Sequence, residues 1–324
     1  TTMKKFKESV FWKSPAKVSI ILFVILEIIT FYLQPNLFSM SWISLKAESA
    51  ITLLFAAVGE TFVLLVGGID LSIAGVISIT SSVAAVYMQD SWISVILISV
   101  LCLCIGAGVG FFNGFIIQKF RIQPFIVTFA TWYICGGIAY LVLPRDGGEV
   151  PQKFIGALTH RFGGKFSVAL IIIIACLILW TWFKKTRLGI SLYAVGNNAH
   201  AASLNGINVK KVNYFAYAAS GIFAAMCGLY RVAVTATGSP TAGESFFNQA
   251  ISATVIGGTL LTGGIGGQYG TIIGVLAFKA INDLLVFAGA SSYWSTLFQG
   301  ALLIAAVLIS TISEIRNERK ELVE

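Results

Sequence analysis

Long apolar runs, each broken by a few polar or glycine-rich positions, recur from residue 17 to residue 312. Lipid offers no hydrogen bonds, so a spanning backbone must be helical or form a closed barrel. Barrel strands need only about ten residues, and these runs are far longer. An all-α integral membrane protein is therefore predicted. Ten transmembrane helices are expected, at roughly 17–36, 46–66, 71–88, 92–117, 124–143, 166–183, 212–236, 245–261, 268–289 and 292–312. The turn GGID at 67–70 leaves the pair around 46–88 open to a re-entrant reading. The first run is long and lacks a small-residue cleavage site, so it reads as an uncleaved span.

Charge then orients the chain. With the N-terminus placed in the cytoplasm, fifteen Lys and Arg residues fall inside, five fall outside, and Arg231 and Lys279 remain within spans. That excess obeys the positive-inside rule and puts both termini in the cytoplasm. The expected division is a cytoplasmic segment 1–16, one transmembrane domain 17–312, and a cytoplasmic tail 313–324. Composition agrees: 57% hydrophobic and 11% charged residues exclude an ordinary soluble enzyme. The net charge of +8 lies between spans and gives no nucleic-acid surface. Cys102, Cys104, Cys135, Cys176 and Cys227 sit in apolar runs without metal-ligand spacing, so no metal site is expected. The pattern GxxxxGK[ST] is absent, so ATP is not bound by that route.

Four regions carry candidate chemistry. In 66-VGGIDLSIAGVISITSS-82, Gly67 and Gly68 permit a backbone break. Asp70 beside Ser72 suits either a helix N-cap or a role at a gate or a partner-facing surface. In the basic segment 184–211, Asn197 or Asn198 can cap a short helix over roughly 198–205, and Gly206 can end it. Such a helix has no stability of its own. Ala199, Ala202, Ser203 and Leu204 offer a close-packing surface and His200 can face a partner; a plain surface loop is the alternative. Between 235 and 271, paired glycines mark a turn between the eighth and ninth spans. Thr237, Ser239, Thr241, Glu244 and Asn248 line either a polar entrance or a simple outer turn. Within spans lie Glu27, Glu60, Lys279 and Asp283, with Lys279 and Asp283 spaced to pair at i,i+4. Asn113, Thr128 and Thr131 can bond either a hydroxylated ligand or neighbouring helices. His160 and His200 lie in separate loops, which leaves an intramembrane enzyme without a coherent set of residues.

The stretches GGIDLSIAG (67–75), NGFIIQKFRIQPFIVTFAT (113–131), TRLGISLYAVGNNAHAASLNGINV (186–209) and PTAGESFFNQAISATVIGGTLLTGGIGGQYGTIIG (240–274), with SSYW (291–294), occur in that order. Together they resemble the permease subunits of ribose-type monosaccharide ABC importers, a group that also takes up xylose, arabinose and autoinducer-2. The resemblance implies a type II importer architecture in the bacterial cytoplasmic membrane. It implies a permease that is not itself an enzyme, dimerising with a same or related chain. Two ATP-binding subunits would hold ATP and Mg, leaving this chain without a cofactor, and an extracytoplasmic sugar-binding protein would deliver cargo. Asn197, Asn198, Ala199, His200, Ala202, Ser203, Leu204, Asn205 and Gly206 would form the coupling helix. Asp70, Ser72, Asn113, Thr128, Thr131 and Asn248 would line the gate or pathway. Arg145, Glu149 and Arg161 of the outer loop, with Glu244, would border the binding-protein dock. The alternatives are an autoinducer-2 permease, or an ion-gradient transporter using Glu60, Lys279 and Asp283.

Overall fold

The computed structural model describes residues 17–33, 39–289 and scattered positions between 291 and 308. Segments 1–16 and 313–324, and most of the stretch expected to be the tenth span, lie outside the described residues. Helices occupy the other nine expected stretches: α1 (Lys17–Leu33), α2 (Met40–Leu65), α3 (Ser72–Tyr87), α4 (Trp92–Phe120), α5 (Pro124–Val142), α7 (Val168–Phe183), α10 (Val209–Thr235), α11 (Phe246–Ile256) and α12 (Gln268–Phe287). Three further helices, α6 (Gln152–Thr159), α8 (Arg187–Asn197) and α9 (Ala199–Leu204), lie in the connections. Among the described residues, five helices are long and apolar enough to cross a membrane, or six if the bent pair α7–α8 counts as one span.

The connection that includes 144–165, expected as an external loop, is ordered. It holds α6 and a hairpin of β1 (Arg161–Phe162) and β2 (Phe166–Ser167). Gly163 and Gly164 turn the hairpin at φ +59° and +69°, angles that Gly adopts without a Cβ penalty.

Burial shows which helices are central. In α2 83% of the apolar window is buried, against 22% in α4 and 28% in α5. The exposed residues of α4 (Ile93, Ile96, Leu97) and α5 (Ile126, Ile134, Leu141) are large and apolar, as a lipid-facing surface requires. Phe62 of α2 anchors the centre, with Trp180 and Phe183 of α7 at 5.7 and 5.6 Å and Phe223 of α10 at 5.9 Å. Edge-to-face and offset ring pairs of this kind are favourable beyond their buried area.

Helix α10 packs on α2, α3 and α4, and its contact with α4 is made through glycines. A Cβ on Gly106 would sit 2.1 Å from the Gly221 carbonyl, and one on Gly221 would sit 1.9 Å from the Gly106 carbonyl. Backbones approach this closely only where both positions lack side chains.

Helix α11 is shorter than the expected 245–261. It ends at Gly257, and Gly258 follows at φ +86°. Eleven residues rise about 16 Å, roughly half the hydrocarbon thickness. The backbone that continues the path is the non-helical turn 257–267.

Replacing Gly221 by Leu is expected to cost about 1–3 kcal/mol by overpacking. Thermal unfolding in detergent will show a lowered midpoint, whereas Gly108→Ala, where an added Cβ meets no atom within 4 Å, does not lower it.

Candidate functional site

Five of the six residues expected at a gate or pathway come together in one buried network. Asp70 follows the break after α2 and is fully buried. Its Oδ1 accepts from the Ser72 amide at 3.0 Å and the Ser72 hydroxyl at 2.5 Å, and its Oδ2 accepts from the Ser220 hydroxyl of α10 at 2.8 Å. Asn113 of α4 donates to Ser72 Oγ at 2.8 Å, and the Thr131 hydroxyl of α5 lies 2.8 Å from Asn113 Oδ1. Thr128 reaches the Ile69 carbonyl at 3.3 Å. The Asp70 amide donates to Glu60 Oε1 of α2 at 3.2 Å.

Helices α2, α3, α4, α5 and α10 are thus joined around Asp70, with the Glu60 carboxylate making the link to α2. These side chains bond one another, which is the helix–helix alternative left open by the residues alone. Leu71 occupies the N-cap position of α3, while Asp70 binds the Ser72 amide from one residue further out. Asn248 stands apart, exposed on α11. Ser220 was not legible as a partner. Its only signal is the i,i+4 series Ala216, Ser220, Ala224, all buried on one face.

The second centre is the basic end of the molecule. Two helices, rather than one, occupy 184–211. The Thr186 side chain caps α8 by accepting from the Gly189 amide. Asn198 caps α9 by accepting from Ala201, and Gly206 ends it at φ +81°. Helix α8 bends 79° from α7 and buries Gly189, Leu192 and Val195.

The end of α8 is wedged against both non-helical turns. A Cβ on Gly196 would sit 1.9 Å from the Leu65 carbonyl and 2.4 Å from the Gly264 amide. The Gly264 amide itself donates to the Leu65 carbonyl at 3.0 Å. Tyr193 donates to the Gly266 carbonyl at 3.0 Å, and Asn197 reaches the Gly264 carbonyl at 3.5 Å. Gly196 and Tyr193 were missed as functional positions.

The nine residues expected to couple divide by direction. Ala202 is buried and anchors α9, Asn197 bonds backwards into the protein, and Asn198 serves as the cap. His200 and Asn205 are exposed, and Leu204 is 76% exposed. Ala199, Ser203 and Gly206 border a cavity of about 970 Å³.

At the opposite end, the loop holding Arg145 and Glu149 is clasped to the turn before Glu244. Gly147 and Gly238 exchange amide–carbonyl bonds at 3.0 and 2.8 Å. Arg145, Glu149 and Glu244 are exposed. Arg161 is partly exposed and is held by an acidic side chain of α2. Its Nε donates to Glu48 Oε1 at 2.7 Å, and Nη2 pairs with Glu48 Oε2. Glu48 holds the Arg161 guanidinium above the usual arginine pKa through that hydrogen bond.

The expected Lys279–Asp283 pair is replaced by another. Asp283 Oδ2 lies 2.6 Å from Lys46 Nζ of α2, which also approaches Glu27 of α1 at 3.5 Å. The cation from the neighbouring helix reaches the carboxylate where the i,i+4 lysine does not.

A family model described as "Branched-chain amino acid transport system / permease component" matches residues 44–307. The chain belongs to that permease family. The ribose import permease protein RbsC of Haemophilus influenzae is 33% identical over 90% of this chain and 91% of its own. The Bacillus subtilis protein of the same name is 34% identical over 88% and 89%. The galactose/methyl galactoside import permease protein MglC of Salmonella typhimurium is 28% identical over 95% and 97%. No solved structure matches.

Within this permease, Ser220→Ala leaves Asp70 Oδ2 without its donor. The expected cost is about 1–3 kcal/mol, measured by denaturant or thermal unfolding in detergent, with Asn248→Ala unchanged.

Proposed function

We propose that this chain is the transmembrane subunit of an ATP-driven monosaccharide importer in a bacterial cytoplasmic membrane. In this reading ten helices span the bilayer and both termini are cytoplasmic, in the type II arrangement. Two copies, or this chain and a related one, enclose the pathway. A pair of ATP-binding subunits carries ATP and Mg on the cytoplasmic side, and a sugar-binding protein docks outside. Lipid covers the apolar faces. Neither a cofactor nor nucleic acid is bound by the chain.

The observation that carries this reading is the placement of α9. A six-residue helix is too short to persist alone, yet it is held between the buried Ala202 and the wedge at Gly196, and it presents Leu204 and His200 outward. An exposed leucine on a fastened helix at the basic end suits insertion into a groove of another protein. Closure of that partner would push on α8 and, through Gly196, on the turns after α2 and α11.

The relatives' names, which hold ribose, galactose and fructose, favour a monosaccharide over the autoinducer-2 alternative. The ion-gradient alternative loses its relay. Glu60 lies about 21 Å along α2 from Lys46, the partner of Asp283, at 1.5 Å per residue.

Leu204→Asp is expected to lower ATP-driven sugar uptake in proteoliposomes at least tenfold. Co-purification with the ATP-binding subunit should fall in parallel, while unfolding in detergent stays normal. Uphill uptake by the chain alone under a proton or sodium gradient would sink the reading.

On the outer side, Arg145→Glu should weaken docking of the sugar-binding protein, with the difference shrinking as salt rises. Arg161→Glu should act on stability instead, through loss of Glu48. Solution binding at two ionic strengths separates the two; docking that ignores Arg145 removes its loop from the interface.

A further inference from the structure

The 970 Å³ cavity at the basic end is large enough for a small ligand, and its walls have a chemistry that the coupling role does not use. Arg121 and Lys210 stand on its rim, both exposed, and neither is ion-paired among the described residues. No Asp or Glu lines it. Gln118, Gln123 and Ser203 add hydroxyl and amide groups. Tyr217 closes its buried side, 1% exposed, and the tyrosine hydroxyl has no hydrogen-bond partner. A buried hydroxyl left unpaired is destabilising, and a ligand oxygen reaching the floor of the cavity would remove that cost.

Gly68 keeps the hydroxyl on the cavity wall, because a Cβ there would lie 2.3 Å from the Tyr217 oxygen. Arg121 is positioned by the chain reversal between α4 and α5, where it takes φ +54°. This left-handed conformation turns the chain sharply between the two helices.

Two cations, several neutral donors, no carboxylate and one unsatisfied hydroxyl together select an anion that also carries hydroxyl groups. We propose that this cavity binds a hydroxylated phosphate ester. Its phosphate sits between Arg121 and Lys210, and its hydroxyl end points to Tyr217 and Ser203. Two sources share that chemistry: a soluble sugar phosphate and the headgroup of a phosphatidylglycerol lipid. Either would tie α9 to the α4–α5 corner and the start of α10, and so restrain the helix proposed to couple. This regulatory role rests on the proposed function; the binding itself does not.

Full-length protein in phosphatidylcholine nanodiscs is titrated calorimetrically with ribose 5-phosphate, free ribose and inorganic phosphate. The same protein, captured from nanodiscs containing phosphatidylglycerol, is examined for retained lipid by native mass spectrometry. Saturable binding of ribose 5-phosphate at submillimolar concentration is expected, at least tenfold tighter than free ribose or inorganic phosphate. Lys210→Gln and Arg121→Gln should each weaken it at least tenfold, and Tyr217→Phe severalfold. Retention of phosphatidylglycerol instead, lost in the same variants, supports the site and assigns the lipid source. The proposal is overturned if neither probe binds, if ribose or inorganic phosphate alone binds as tightly, or if Lys210→Gln and Arg121→Gln leave binding unchanged. No ATP-binding subunit is present in these measurements, so a failed uptake experiment and a failed binding experiment are told apart.

Discussion

Two stretches of non-helical backbone lie inside a fold built to sit in lipid, and their hydrogen bonds must be met by protein. The turn after α2 and the turn after α11 meet this constraint partly through each other: the Gly264 amide binds the Leu65 carbonyl at 3.0 Å. The rest is met locally. The Gly68 amide donates to Val63, Leu260 to Ile265, and Gly267 to the Thr259 hydroxyl. Irregular backbone at membrane depth is tolerated only when enclosed in this way. The glycines follow from the same requirement. Gly67 at φ +78° and Gly263 at φ +92° take conformations that other residues rarely adopt, and a Cβ on Gly263 would sit 2.8 Å from the Gly67 amide.

The buried polar network is the second consequence. A chain that breaks its helix before Ser72 places a carboxylate where α2, α3, α4, α5 and α10 converge, and each neighbour must then supply a donor or be kept apolar. Ser72 and Ser220 supply donors directly to Asp70, and Asn113 and Thr131 extend the bonding outward to α4 and α5. Bonds of this kind fix which helix faces which in a bilayer, where apolar contacts alone discriminate weakly. The same break leaves Glu60 beside Asp70 and sets Gly68 against Tyr217, so the polar interior and the cavity at the basic end share one boundary.

Much of this was legible in the residues. Hydropathy marked nine stretches that hold helices, and among the described residues five or six of these are long and apolar enough to span. Asp70, Ser72, Asn113, Thr128 and Thr131 stood out as polar positions in apolar surroundings, and they do converge. Their convergence on Ser220 was hidden, because a serine among alanines reads as a small residue for packing. Helix α8 was hidden for a related reason. Its sequence RLGISLYAVGN is too polar for a span, and the burial of Leu192 and Val195 depends on packing against α2 and α10. Charge pairing was the least legible. The i,i+4 spacing of Lys279 and Asp283 is a local signal, and the long-range approach of Lys46 overrides it.

Helix α10 runs unbroken for 27 residues, about 40 Å at 1.5 Å per residue. It begins at the Asn208 cap beside the cavity and ends next to the clasp between Gly147 and Gly238. No proline or non-helical turn interrupts it to absorb a displacement. A tilt of about 10° at the basic end would therefore swing the far end by about 7 Å over this length. A displacement at the basic end would reach the opposite end as leverage on the clasp between Gly147 and Gly238, without any intermediate hinge to relay it.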